Sequence, residues 1–139
     1  MEINIHLWTS IALAVLLYPF FGWLSVLAIA GGYLVDFDHY ILYVIRKKDW
    51  SLKRSITYYR TRRYAIKRPV LHIFHTIEAF AVLLVLAFYH DLFMVILAGY
   101  ILHMLLDFSS TVYYKGWDER INSIFAWIFI KLMENSTRS

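Results

Sequence analysis

The first forty-five residues contain neither lysine nor arginine, and apolar runs of near-membrane length recur along the rest of the chain. The first run spans about Ile3–Tyr18 and is broken by Pro19. The second runs from about Phe20 to Ile45, the third from about Val70 to Tyr89 just after Pro69, and the fourth from about Leu92 to Phe108. A helix needs roughly 17–25 apolar residues to cross a bilayer, so each run is close to a span, the first and fourth being short. The tight connections "YPFFG" and "YHD" between runs predict two antiparallel hairpins. No run alternates with period two, which argues against a β-barrel. The expected fold is therefore all-α: a polytopic membrane protein, a four-helix antiparallel transmembrane bundle, forming one domain over 1–139. Composition agrees. The chain is 60% hydrophobic with a mean hydropathy of +0.55, against roughly 45–50% apolar residues in soluble domains.

"AIAG" at 28–31 resembles a signal-peptide cleavage site. No basic stretch precedes it and the apolar run is too long for such a peptide, so the segment is read as retained. The chain has no cysteine, which excludes disulfides and thiolate metal sites.

The net charge of +4 is local: ten of the fourteen lysines and arginines lie between Arg46 and Arg68. Beside apolar spans, such a loop is a cytoplasmic flank against anionic lipid, and no nucleic-acid partner is expected. The positive-inside bias places loop 46–69 and the N-terminus in the cytoplasm of an inner-membrane, multi-pass protein. The tail differs from the spans. Ile121, Ile124, Phe125, Ile128, Phe129 and Leu132 recur at helical spacing, which predicts an amphipathic interfacial helix over about 118–134, with a fifth span as the alternative.

On that topology the intramembrane polar residues fall at one depth. His6 opens span one; Asp36, Asp38 and His39 close span two; His72, His75 and Glu78 lie early in span three; His103 and Asp107 end span four. All lie toward the cytoplasmic side. His90 falls at the outer turn. The pairs Asp36/His39, His72/His75, His75/Glu78 and His103/Asp107 are three or four residues apart, and so share helix faces. Asp36 and Asp38 do not share a face in a regular helix, unless the chain loosens after Gly31 and Gly32.

Ionisable groups are costly in a membrane and mark function. Imidazole and carboxylate without thiolate suit a divalent metal: Zn²⁺ first, with Mn²⁺ or Fe²⁺ as alternatives. A structural hydrogen-bond network, or a proton or cation pathway, would use the same residue types. A pathway should also place groups in the outer half.

Several segments resemble the small membrane-bound metal-dependent hydrolases, an inner-membrane-associated family. "GGYLVDFDHY" (31–40) is similar to its G…PDxDH signature, "GYILHMLLDFSS" (99–110) to its GYxxHLxxD segment, and "RPVLH" (68–72) to its R-G-x-T-H segment; His6 takes the place of its leading histidine. The order holds over about 6–110. The resemblance implicates His6, Asp36, Asp38, His39, His72, His103 and Asp107. Val35, Lys67, Pro69 and Ile73 depart from the pattern, and His75 and Glu78 are read as replacing what the third segment lost. A distant similarity to the phospholipase C and P1 nuclease zinc enzymes, through the HxxxD helix, implies one to three zinc ions and phosphate-ester cleavage.

The expected activity is thus a metal-dependent hydrolase acting on a phospholipid or other amphiphilic phosphoester. The metal ligands are His6, Asp36, Asp38, His39, His72, His75, Glu78, His103 and Asp107. Asp36, Asp38 and Glu78 are the catalytic carboxylates, and Arg62, Arg63 and Arg68 would hold the phosphate. A divalent-cation or proton transporter, and a non-catalytic membrane interaction protein, are the alternatives.

Overall fold

A computed structural model describes residues 3–61, 70–113 and 120–136. Among the described residues the chain is all-α apart from one two-residue ladder. Its helices are α1 (Ile3–Phe21), α2 (Leu27–Tyr33), α3 (Phe37–Lys47), α4 (Leu52–Thr61), α5 (Ile77–Ala87), α6 (Asp91–Tyr113) and α7 (Ile124–Ser136). Strands β1 (Val70–Leu71) and β2 (Arg120–Ile121) pair in parallel, Val70 opposite Arg120.

Proline cannot continue a helix ladder, and α1 ends two residues after Pro19. Gly22 then takes φ +54°, a left-handed turn that glycine enters without steric cost. The chain folds back, so that Ala14 packs with Ala28 and Ser10 faces Gly32. Small residues also set the crossing of α2 and α6. A Cβ on Gly31 would overlap the Ile96 carbonyl, and one on Gly99 would overlap the Ala28 carbonyl. Such residues let helix backbones touch. One turn beyond Gly99, His103 reaches the Gly32 carbonyl at 3.0 Å.

Two helical stretches are long and apolar enough to cross a membrane: Asn4–Lys47, which includes the turn at Gly22, and Asp91–Ser110. The expected third span is not a continuous helix. Val70–Leu71 is strand, His72 is extended and Ile73–His75 is a 3-10 turn, so α5 has 11 residues. At 1.5 Å per residue it covers about 16 Å, half of a ~30 Å hydrocarbon core. The four-helix transmembrane bundle is therefore reduced to two candidate spanning stretches with a half-length helix beside them. The tail does form a helix, α7, of 13 residues, also too short to span.

Beside a small apolar core, burial here favours polar side chains and exposure favours large apolar ones. The fully buried side chains include His6, His103, Thr76, Ser10 and Ser25, while Trp8, Trp23, Phe20, Phe88 and many aliphatic side chains lie exposed. Large exposed apolar surfaces mark an interaction with a membrane or a partner.

Beyond α3, Lys48 (φ +52°) closes the helix with its N–H on the Val44 carbonyl. Asp49 then organises the turn into α4. It accepts from the Tyr43 hydroxyl at 2.6 Å and the Ser51 N–H at 3.0 Å, and it pairs with Arg54 at 2.9 Å. These donors, the Tyr43 hydroxyl first, hold its carboxyl below the usual carboxylate range.

Candidate metal centre

Four chain segments bring their histidines and aspartates together at one end of the helices. The chain does loosen after Gly31 and Gly32: Leu34–Asp36 is a 3-10 turn, and α3 restarts at Phe37. That break puts Asp36 and Asp38 into one site although they are two residues apart.

Asp38, buried, is the organiser. Its Oδ2 accepts from the Phe74 N–H at 3.1 Å and lies 3.2 Å from His75 Nδ1; its Oδ1 lies 2.7 Å from His39 Nδ1 and 3.6 Å from His72 Nδ1. The Tyr100 hydroxyl donates to the Phe74 carbonyl at 2.6 Å. The 72–76 segment is thus pinned between α3 and α6, which turns His72 and His75 inward.

Two hydrogen bonds fix two tautomers. The Gly32 carbonyl can only accept, so His103 Nδ1 carries its proton and Nε2 presents a lone pair. The Asp38 carboxylate likewise places the His75 proton on Nδ1. Yet His75 Nε2 and His103 Nε2 lie 3.0 Å apart. With both rings neutral, two lone pairs face each other and repel; a proton or a divalent cation between them removes the conflict. Carboxylates surround the same point. Asp36 Oδ1 is 3.7 Å from each Nε2, and Asp107 Oδ2 is 3.8 Å from His75 Nε2. Asp107 Oδ1 is 3.4 Å from His6 Nε2, and the His6 ring stacks on His103 at 4.2 Å.

The donors form overlapping groups: His6, Asp36 and His103; His75, His103 and Asp107; Asp36, His39 and His75; Asp38, His39 and His72. Within each group the ligand atoms lie within 4.8 Å of one another. Asp36 joins the first group to the third. Buried His6 Nδ1 and His72 Nδ1 make no hydrogen bond, nor does Glu78 Oε2 outside the site; His72 Nδ1 faces Asp38, where an ion would relieve that cost. The all-nitrogen-and-oxygen donor set fits Zn²⁺, Mn²⁺ or Fe²⁺ and excludes none of the three.

Eight of the nine expected ligands therefore converge. Glu78 does not. The backbone leaves helical geometry between His75 and Ile77, so the predicted shared face of His75 and Glu78 is lost. Glu78 Oε1 instead accepts from the Ser123 hydroxyl at 2.6 Å and the Phe125 N–H at 3.4 Å, at the start of α7. The expected metal-binding and catalytic roles of Glu78 are thus corrected to a contact with the tail. Arg62, Arg63 and Arg68 lie outside the described residues. His90 accepts from the Leu92 N–H at the far turn, away from the site.

Sequence reasoning overlooked Tyr59 and Tyr100. Tyr59, on α4, meets His39 edge-on at 5.2 Å and His72 at 6.3 Å, closing one side of the centre. Burial pushes its hydroxyl up to about 12, so it stays protonated near neutrality. Nothing in the basic loop distinguishes Tyr59 from Tyr58 or Tyr64. Tyr100 was legible: it sits in "GYILH", between the glycine of the crossing and His103.

Comparison with protein-family models, with curated proteins and with solved structures finds no match to this chain.

Proposed function

We propose that the protein is a membrane-embedded, metal-dependent hydrolase of phosphate esters, with its centre at the cytoplasmic interface, and that it is related to the small membrane-bound metal-dependent hydrolases. The observation that carries the metal reading is the pair of Nε2 atoms, on His75 and His103, 3.0 Å apart with each ring's Nδ1 engaged by an acceptor, Asp38 or the Gly32 carbonyl, and with Asp36 and Asp107 beside them. The ligands are His6, Asp36, His75, His103 and Asp107 on one side, and Asp38, His39 and His72 on the other. A divalent ion held there supplies Lewis acidity toward a phosphoryl oxygen and acidifies water. Asp38, engaged by Phe74, His75 and His39, orients imidazoles. Asp36, which is 24% exposed and shared between the groups, is the carboxylate best placed to bridge them or to accept a proton.

Leu34, Phe37, Ile73 and Phe74 are exposed next to Asp36 and His75. This apolar rim favours an amphiphilic phosphoester, such as a phospholipid, over a water-soluble one. An apolar cluster toward the far end favours hydrolysis over transport. Residues 7–35, 79–89 and 92–102, which make up that half, contain no Asp, Glu, His, Lys or Arg, and Ala14, Ala28 and Val95 pack there with Leu13, Leu17, Phe21, Leu27 and Ile29.

The test is elemental analysis of purified protein, with hydrolysis of a phospholipid followed in the same sample. At least one equivalent of Zn, Mn or Fe, and headgroup or phosphate release abolished by chelation, is expected. Metal-free protein that takes up none of the three ions would overturn the metal reading. Full metal with no hydrolysis of any phosphoester would overturn the enzymatic one.

A further inference from the structure

α7 carries no expected ligand, yet its root is bound to the segment that carries two. β2 pairs with β1, the Ile77 N–H donates to the Asn122 carbonyl at 2.9 Å, and Glu78 holds Ser123 and the Phe125 N–H. Ser123 in turn caps α7, its hydroxyl accepting from the Ala126 N–H. Residues 120–125 thus run along 70–78, and His72 and His75 lie between these attachments. Past its root, α7 presents one stripe of large apolar side chains to the outside. Phe125 is 75% exposed, Phe129 65% and Leu132 64%, with Ile128 and Met133 beside them. The Lys131–Glu134 pair lies outside that stripe.

We propose that α7 docks lengthwise on the lipid surface through this stripe, and that the docked helix holds the His72–His75 segment in position through its root. The occupant is lipid because the segment that holds the root of α7 also exposes apolar side chains. Ile73, Phe74 and Ile77 are exposed on the segment bound to the root, and Val82 and Val85 continue that surface along α5. At about 20 Å, α7 is too short to cross and long enough to lie flat. The docking rests on the membrane reading above, and not on the metal or hydrolase reading.

The chain has no cysteine, so single cysteines report cleanly. Spin labels at Phe125→Cys, Phe129→Cys, Leu132→Cys, Lys131→Cys and Glu134→Cys are compared in metal-free vesicles of phosphatidylethanolamine and phosphatidylglycerol. Labels at 125, 129 and 132 should be accessible to oxygen, and those at 131 and 134 to an aqueous nickel chelate. Equal chelate access at all five positions overturns docking. Depth rising steadily from 125 to 134 makes α7 a span and also overturns it. So does spin–spin broadening at 129 that disappears on dilution with unlabelled protein, which would put a second copy on the stripe. Hydrogen exchange tests the coupling. Phe129→Asp/Leu132→Asp should speed exchange at Phe74, His75 and Ile77 about tenfold or more, with α6 unchanged. Unchanged exchange over 72–77 would break the link between docking and the site. Neither measurement needs metal, so failure here is distinct from failure of the metal reading.

Discussion

His103→Ala separates a metal ligand from a packing histidine. The ring is fully buried, stacks on His6 and satisfies the Gly32 carbonyl. Without metal, truncation leaves that carbonyl unpartnered, which costs about 1–3 kcal/mol. A drop in apo stability is therefore expected under either reading and decides nothing. The metal-dependent increment does decide. An ion at a hundred times its Kd stabilises the native state by about 2.7 kcal/mol. At roughly 2–4 °C per kcal/mol, this raises Tm by about 5–10 °C. The variant has lost one of the two Nε2 atoms that face each other and should show little of this rise. The assay is thermal unfolding in detergent with and without Zn²⁺, beside metal stoichiometry. A variant with wild-type stoichiometry and the full zinc-dependent rise would refute the ligand assignment.

Asp107→Asn keeps shape and an acceptor oxygen but loses charge, so it should lower metal occupancy with only a small change in apo Tm, read by the same two measurements. Gly99→Ala drives a methyl into the Ala28 carbonyl at the α2–α6 crossing; a loss of about 1–3 kcal/mol is expected in unfolding experiments, with metal content falling as His103 shifts. Asp49 has a depressed native pKa, so its contribution to stability is present above the unfolded value of about 4 and is lost as pH falls through the native one. The wild type should lose part of its acid-range stability in pH-dependent unfolding, and Asp49→Asn should flatten that part of the curve. For topology, Ser55 is buried and a poor labelling site, whereas Lys53 is exposed on the same helix. Lys53→Cys should react with an impermeant maleimide only after permeabilisation, and labelling in intact cells would invert the orientation.

The convergence of His6, Asp36, His103 and Asp107 was legible because each lies on or beside a regular helix, where spacing fixes direction and span order fixes depth. The break around Leu34–Asp36 was legible too, since Gly31 and Gly32 precede it. Residues 70–78 were misread. Their apolar residues look like the first turns of a span, and His72, His75 and Glu78 recur every three residues. What overrides that local pattern is tertiary: Asp38 takes the Phe74 N–H, the Tyr100 hydroxyl takes the Phe74 carbonyl, and β2 pairs with Leu71. None of these partners is near in sequence, so no window along the chain contains the signal.

That override explains why the C-terminal part belongs to the site. Backbone that leaves helical geometry at membrane depth survives only where protein satisfies its polar groups. Asp38 and Tyr100 meet two of those needs at Phe74, and the 120–122 stretch meets others through the ladder and the Asn122 carbonyl. A straight helix from Val70 would have needed neither, and would have kept His72, His75 and Glu78 near one face, but it would also have kept the Phe74 N–H for its own ladder. Asp38 would then have no donor at Phe74 with which to draw that segment inward. The half-length α5 and the inward histidines are therefore one consequence of the same backbone break, and the tail that pairs with that break helps to shape the candidate centre without offering it a ligand.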